Sequence, residues 1–357
     1  MRTLSRRRAV AALTATTLAA PMIFARNGWA AGKSITVGTY TGPQGDYIHR
    51  MVIPKFEADH GCKVFQTQGV TLTQIALMRA QKAHPAYSVM FMDDTGVPIA
   101  KDEGLIAPLP RADIPNLAKA IPRFVLDDGY AVAFAVSAIA PCYNTQLAKP
   151  IASYEGLWDP ALRGKLVIAS PKFTQSVMLL IAAAALVTGK PLEQAQLLTD
   201  QAWGKMQALK PNVQTLYDNS TTAMLQLSQG QFSMDGPEFS KTVLPYKMKG
   251  APIDMCYPKE GAFAGINTMT LVKNGPNPEL AAAFIDRMLS PAVQKGLSEA
   301  TFAAPTVTDI TLDPKVAALV PYPAQRMAEM KLASMDWRTL NMRRGAIVEK
   351  LTQIFGA

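Results

Sequence analysis

Carboxylate side chains recur in the loops that follow predicted strands. They are Asp46, Asp93, Asp94, Asp235 and Glu238. Aromatic side chains accompany them in the same loops, namely Tyr40, Tyr47, Phe173 and Phe239. A buried ammonium group needs carboxylates to balance its charge and aromatic faces to attract it. These loops therefore predict a binding site that could hold a small organic cation.

Hydroxyl groups and predicted helix starts in the same region point to a different ligand. The hydroxyl residues are Thr39, Thr41, Ser170, Thr174, Ser176 and Ser220–Thr222. Hydroxyl groups and the N–H groups at a helix start can bind anions, and Lys172 adds a positive charge beside them. The same residue types also form ordinary turns and helix caps. The residues alone leave the charge of the ligand open.

The sequence lacks the motifs of common exported enzymes. It contains no Gly-x-Ser-x-Gly, no His-Glu-x-x-His and no glycine-rich phosphate loop. Its histidines, His49, His60 and His84, do not have the spacing of metal ligands. We therefore expect a binding protein with no cofactor, no metal and no catalytic residue. An exported hydrolase with a scattered catalytic triad is the alternative.

Short apolar strands alternate with helices along the chain, and this alternation must position the candidate residues. The predicted strands include Ser34–Thr39, Gly61–Thr67, Ser88–Met92 and Lys165–Ala169. The predicted helices include Met51–Asp59, Leu72–Lys82, Thr174–Val187, Glu193–Leu209 and Ala223–Gly230. Such alternation predicts βαβ units and two α/β domains with mostly parallel sheets. Ligands of open α/β sheets bind at the carboxyl ends of the strands, where the candidate loops lie.

The balance of charged residues argues against one other class of protein. The 357 residues contain 36 Lys and Arg against 27 Asp and Glu, but five of the arginines lie in the first 30 residues. The remainder carries 31 basic and 27 acidic residues, a formal charge of +4. This small excess without a basic cluster argues against nucleic-acid binding.

The first 30 residues have the three parts of an export signal. Arginines follow Ser5, an uncharged stretch covers Ala9–Ala25, and small residues allow cleavage after Ala30. The paired arginines favour the twin-arginine route. We predict a signal peptide over residues 1–30 and a periplasmic protein. An uncleaved membrane anchor is the alternative, but the uncharged stretch is short for a membrane span.

Several segments resemble the extracellular solute-binding proteins of bacterial ABC importers, in particular the spermidine/putrescine-binding group. The segments are Glu103–Leu109, Tyr143–Asn144, Ser153–Pro160, Tyr257–Gly261 and Asn277–Pro291. Each segment is short, but they occur in the order of that family across most of the chain. The resemblance implies that a small-molecule ligand is delivered to an ABC permease in the inner membrane. Because such a protein diffuses freely to its permease, we expect a monomer.

The resemblance further implies a two-lobe periplasmic-binding-protein fold of type II. Each lobe would have a mixed, mostly parallel sheet flanked by helices, and crossover hinge strands would join the lobes. Lobe one would comprise residues 33–140 plus 265–308, and lobe two would comprise 141–264 plus 309–357. Cys142 and Cys256 would both lie near the crossovers, so they are the favoured pair if a disulfide forms. Three small buried thiols are the alternative.

The chain departs from the polyamine-binding group at the ligand. Those proteins carry a tryptophan and then an aspartate after the segment that matches Tyr257–Gly261, whereas this chain offers Gly265 and Asn267. An acidic motif of the group becomes Ser170–Gln175. We expect a polyamine-like amine, with an anionic or neutral metabolite (phosphonate, opine or carboxylate) or ferric iron as alternatives. The candidate ligand-binding residues are Tyr40, Thr41, Asp46, Asp93, Asp94, Ser170, Thr174, Gln175, Asp235, Glu238 and Asn267.

Overall fold

The computed structural model describes residues 33–356. Within this range, no helix combines the length and the apolar character needed to cross a membrane. The predicted signal peptide and its cleavage after Ala30 lie outside the described residues.

Strands and helices alternate through the described chain. The strands are β1 Ser34–Tyr40, β2 Lys63–Gly69, β3 Val89–Asp93, β4 Ile106–Ala107, β5 Val125–Leu126, β6 Ala131–Asn144, β7 Leu166–Ala169, β8 Val213–Tyr217, β9 Met234–Phe239, β10 Ile253–Met255 and β11 Phe263–Val272. The α-helices are α1 Pro43–Tyr47, α2 Ile53–His60, α3 Thr71–Ala80, α4 Val97–Asp102, α5 Thr174–Thr188, α6 Leu192–Ala195, α7 Trp203–Leu209, α8 Ser220–Ser228, α9 Ser240–Met248, α10 Pro278–Leu289, α11 Pro291–Thr301, α12 Pro314–Ala317, α13 Ala324–Glu329 and α14 Trp337–Phe355.

Two parallel groups of strands are joined by two long antiparallel strands. The order across the sheet is β2-β1-β3-β11-β6-β9-β7-β8. Strands β2, β1 and β3 are parallel, and so are β9, β7 and β8. Strand β11 pairs with β3 and β6, and β6 continues beyond it to pair with β9. The predicted α/β fold with crossover strands is confirmed, because β6 and β11 connect both groups.

The C-terminal helix α14 contacts both parallel groups. Arg338 forms ion pairs with Asp102, at the end of the helix α4 that follows β3, and with Asp127, which directly follows β5. Arg343 forms an ion pair with Asp200, which follows α6. The predicted lobe boundaries at residues 140, 264 and 308 stay a prediction.

Local sequence explains how the elements begin and end. Helix α5 is buried along most of its length, as its apolar sequence predicts, and ends at Gly189, whose φ of 66° suits glycine. Helix α8 begins three residues earlier than predicted, with the side chain of Asn219 accepting from the amide of Thr222 at 2.9 Å. The helix predicted over Glu193–Leu209 is wrong as one element. It divides into α6, a 3₁₀ turn and α7, because the chain bends to keep Ala195, Ala202 and Met206 buried.

The three cysteines lie within the described residues, and all three are free and buried. The favoured Cys142–Cys256 disulfide is not formed in the structure. Cys142 Sγ faces Met224 Sδ at 3.9 Å, whereas Cys256 Sγ accepts from the amide of Ile151 at 3.4 Å. The two thiols belong to different hydrophobic clusters, so they face different neighbours despite their closeness in the sheet.

Candidate functional site

Asp93 is the centre of a hydrogen-bond network at the carboxyl end of β3. Its Oδ1 atom accepts from the Tyr40 hydroxyl at 3.1 Å and from Asn267 Nδ2 at 2.7 Å. Its Oδ2 atom accepts from the Thr71 hydroxyl at 2.9 Å. The sheet register brings these residues together, since Asn267 in β11 lies opposite Asp93 and β1 runs beside β3. Burial, followed by the charge of Asp93, raises the pKa of Tyr40 well above its ordinary value.

Lys241 reaches this network from the other parallel group of strands. It lies in the first turn of α9, just after β9, and its Nζ atom donates to Asn267 Oδ1 at 2.8 Å. The same oxygen accepts from Gln44 Nε2 at 3.1 Å. Nζ lies 5.9 Å from the ring centroid of Tyr40 and 5.3 Å from that of Phe239. These distances place the ammonium group within the range of cation–π attraction to both rings.

The environment of Lys241 opposes its charge. Burial lowers the pKa of Lys241, while the carboxylates of Asp93 and Glu238 act in the opposite direction. A half-buried ammonium group that keeps its charge is stabilised by any further negative group placed beside it. We call Tyr40, Asp93, Lys241 and Asn267 the central cluster.

Glu238 forms a second network beside the central cluster. Its Oε2 atom accepts from the Tyr217 hydroxyl at 2.7 Å. Its Oε1 atom accepts from the backbone amide of Phe239 at 2.7 Å and from Gln175 Nε2 at 3.3 Å. Glu238 is completely buried, and burial raises its pKa although these donors stabilise the carboxylate.

Asp94 and Asp235 lie in the protein interior. Asp94 is 7% exposed, and burial, followed by the charge of Asp93, raises its pKa well above its ordinary value. Asp235 is completely buried and lies opposite Cys142 in the sheet. Neither carboxyl oxygen of Asp235 has a hydrogen-bond partner within residues 33–356. Burial, followed by the charge of Glu238, raises the pKa of Asp235 well above its ordinary value.

Replacing Asp235 with asparagine should remove a pH-dependent cost of folding. Because its folded-state pKa is raised, the wild-type carboxyl group supports folding below about pH 3.9, the ordinary pKa of an aspartate. That support is lost as the pH rises toward the folded-state pKa, at up to about 1.4 kcal/mol per pH unit. Relative to wild type, Asp235→Asn should therefore gain stability between pH 5 and pH 7 in denaturant unfolding. The exposed Asp46→Asn is the control, and parallel pH profiles for all three proteins would contradict the assignment.

The remaining predicted residues lie at the edges of the site. Thr41 and Asp46 are exposed in the segment after β1. Thr174 Oγ1 lies at the start of α5 and contacts Arg344 Nη2 at 3.5 Å. The carbonyl of Ser170 accepts from the Ser176 hydroxyl at 3.0 Å. Whether these residues bind a ligand stays a prediction.

The loop predicted over Asp235–Phe239 is wrong, because these residues form strand β9, and sequence reasoning missed several polar residues in the other predicted loops. Gln44 and Thr71 lie inside predicted ligand-side loops. They were not among the candidate residues, because they are neither acidic nor aromatic. Lys241 lies two residues beyond the predicted loop that ended at Phe239. The sequence does show a lysine just after a strand that ends in Glu-Phe. The neighbouring residues, however, do not indicate that the lysine side chain points toward the site.

The site has the features of a binding site for a charged molecule. It combines a carboxylate, an ammonium group, amide groups and two aromatic rings, drawn from segments far apart in sequence. In the part of the chain that the structure describes, no group of three or more His, Cys, Asp or Glu side chains is placed to hold a metal ion. His49 is exposed and contacts Gln66 at 2.9 Å, and His60 packs against Phe56.

Comparisons with known proteins place these observations in context. The family model of bacterial extracellular solute-binding proteins matches residues 52–324. The spermidine/putrescine-binding periplasmic protein of Escherichia coli (strain K12) is 23% identical over 269 residues, covering 73% of this chain and 75% of that protein. Iron uptake protein A1 of Synechocystis sp. is 23% identical over 280 residues, covering 74% of each chain.

Solved structures show the same fold. The periplasmic binding protein AfuA from Actinobacillus pleuropneumoniae, solved with fructose-6-phosphate bound, superposes with a TM-score of 0.70. It is 20% identical, and the match covers 91% of this chain and 99% of AfuA. The predicted periplasmic-binding-protein fold is thereby confirmed.

Proposed function

Because this chain belongs to the family of bacterial extracellular solute-binding proteins, we propose that it captures one small charged solute at the central cluster. It then presents that solute to the permease of an ABC importer. Membership of this family supports the receptor role. The geometry of the central cluster supports the position of the ligand. Its relatives are transport proteins named for polyamines and for iron.

One observation supports the position of the site most strongly. Lys241, which follows β9, meets Tyr40 and Asn267, which lie on β1 and β11. Charged and aromatic groups from both parallel groups of strands therefore converge at one place. A solute bound there would contact both groups, and its affinity would favour the conformation that holds them together.

Periplasmic location and export are part of this proposal. The spermidine/putrescine-binding relative is periplasmic by name, and the first 30 residues have the pattern of a signal peptide. We propose that the protein acts as a monomer that diffuses to a permease in the inner membrane.

A thermal-shift screen tests the receptor role. The panel contains putrescine, spermidine, dicarboxylates, opines, phosphonates, sugar phosphates and ferric citrate. A ligand at 100 times its dissociation constant adds about 2.7 kcal/mol to the free energy of unfolding, which raises the melting temperature by several degrees. We expect a saturable shift, with the compound recovered chemically unchanged by mass spectrometry. Chemical conversion of a bound compound would instead support the hydrolase alternative.

A further inference from the structure

Among the residues that the structure describes, the ammonium group of Lys241 has no carboxylate partner. Within residues 33–356, four lysines are half-buried: Lys101, Lys205, Lys241 and Lys247. Three of them form ion pairs, with Asp127 and Asp128, with Glu155 and with Asp254. Lys241 instead bonds to an amide oxygen at 2.8 Å. It also has three N–H donors, of which this bond uses one.

The carboxylates near Lys241 are already largely occupied. Asp93 accepts from Tyr40, Asn267 and Thr71, and Glu238 accepts from three other donors. A carboxylate has about four acceptor sites, so each retains about one. An incoming ammonium group would find few free acceptors here, and it would meet the like charge of Lys241. Like charges held close together at a partly desolvated site repel each other.

Arg344, a residue of α14 whose guanidinium lies beside the start of α5, is a second cation of this kind. Arg344 is half-buried and donates to the carbonyl of Lys172 at 3.0 Å, and in the described part of the chain it forms no ion pair. Its guanidinium lies 5.9 Å from the ring centroid of Trp337. Burial lowers the pKa of Arg344. Within residues 33–356, Lys241 and Arg344 are therefore two half-buried cations whose hydrogen bonds go to an amide and a carbonyl oxygen rather than to a carboxylate.

We propose that the solute carries an oxyanion group, either a carboxylate or a phosphoryl group, and that Lys241 binds this group directly. This inference rests on the proposed receptor function and defines the chemical class of the solute. The oxyanion would accept hydrogen bonds from the N–H groups of Lys241 that do not bond to Asn267. The rings of Tyr40 and Phe239 would cover the remainder of the molecule. The expectation of a polyamine-like amine stays a prediction that competes with this one.

Binding measurements on charge-separated metabolites test the inference. A bacterial metabolite extract is divided by ion exchange into an anionic and a cationic fraction. Each fraction, together with succinate, fructose 6-phosphate, putrescine and spermidine, is added to the purified protein in a thermal-shift assay. We expect the anionic fraction to raise the melting temperature and the cationic fraction to leave it unchanged. Stabilisation by the cationic fraction or by the polyamines alone would overturn the inference and leave the receptor function standing.

Variants of Lys241 locate the bound anion. Lys241→Gln should weaken anion binding at least 10-fold, because it removes a charge-assisted hydrogen bond. Lys249→Gln is the matched control, because Lys249 is an exposed lysine just after the same helix. The affinity of this variant for the anion should stay within twofold of the wild-type value. Lys241→Arg keeps the charge and should bind the anion more tightly than Lys241→Gln, which separates a lost charge from misfolding.

A competing basic cavity makes this variant test necessary. A surface cavity of about 450 Å³ is lined by Tyr257, Pro258, Lys259, Arg326, Glu329, Met330 and Lys331. An anion bound in this cavity would be insensitive to Lys241→Gln, and that result would overturn the inference. Failure of every fraction and compound to stabilise the wild-type protein would contradict the proposed receptor function itself.

Discussion

Replacing Asp93 with alanine is expected to weaken solute binding about 100-fold. The change leaves the Tyr40 hydroxyl, the Thr71 hydroxyl and Asn267 Nδ2 without their shared acceptor. The solute must then order these three side chains as it binds, at a cost that outweighs the repulsion between the Asp93 carboxylate and an anionic solute. Hydrogen bonds to a charged group contribute about 1.5–3 kcal/mol each, and a cost of about 2.7 kcal/mol corresponds to a 100-fold loss of affinity. Isothermal titration of wild type and Asp93→Ala with the same solute measures the effect.

Two further variants control for the loss of charge and for the loss of structure. Asp93→Asn keeps the size of the side chain and one acceptor oxygen, so its affinity should lie between those of wild type and Asp93→Ala. Asp113→Ala removes an exposed carboxylate outside every predicted ligand-side loop and should leave binding within about twofold. If Asp113→Ala weakened binding as strongly as Asp93→Ala, the central cluster would not be the ligand site.

Replacing Gly45 with alanine is expected to destabilise the protein by roughly 3 kcal/mol. Gly45 lies within α1, and an added Cβ atom would collide with the carbonyl oxygen of Tyr40 and lie 2.9 Å from Gln68 Nε2. The backbone must move to relieve the collision. That movement would displace Gln44, which donates to Asn267, so affinity for the solute should fall as well. Denaturant unfolding and isothermal titration measure the two effects.

Gly204→Ala is the matched control for this change. Gly204 lies in helix α7, and an added Cβ atom would meet nothing within 4 Å. Alanine favours a helix over glycine by about 0.5–1 kcal/mol, so this variant should be slightly more stable than wild type. Equal stability of Gly45→Ala and wild type would show that the segment after β1 is not held in the described position.

The fold could be predicted from the sequence because its signals are local. Strands β1, β3 and β7 are short and largely buried segments, and helices follow them at the spacing of βαβ units. The unbroken helix over Glu193–Leu209 was wrong because its apolar positions also suit two shorter helices. The choice between them depends on packing against α5, which no local pattern shows.

The site could be predicted only in part, because the sheet register creates it. Tyr40, Asp93 and Asn267 were expected to bind the ligand, and the structure brings them together. The contact between Lys241 and Asn267 joins residues on different elements, and nothing in either segment indicates that they meet. Asp235 was expected in a loop but lies in strand β9, and its complete burial depends on the packing of α8 and α9 over the sheet.

A crystal structure of the protein with the compound that stabilises it most would test the position of the site directly. We predict that the bound molecule lies between the rings of Tyr40 and Phe239, with an acidic oxygen about 3 Å from Lys241 Nζ. A molecule bound instead in the basic cavity beside Tyr257 and Arg326, with the central cluster unchanged, would contradict the account.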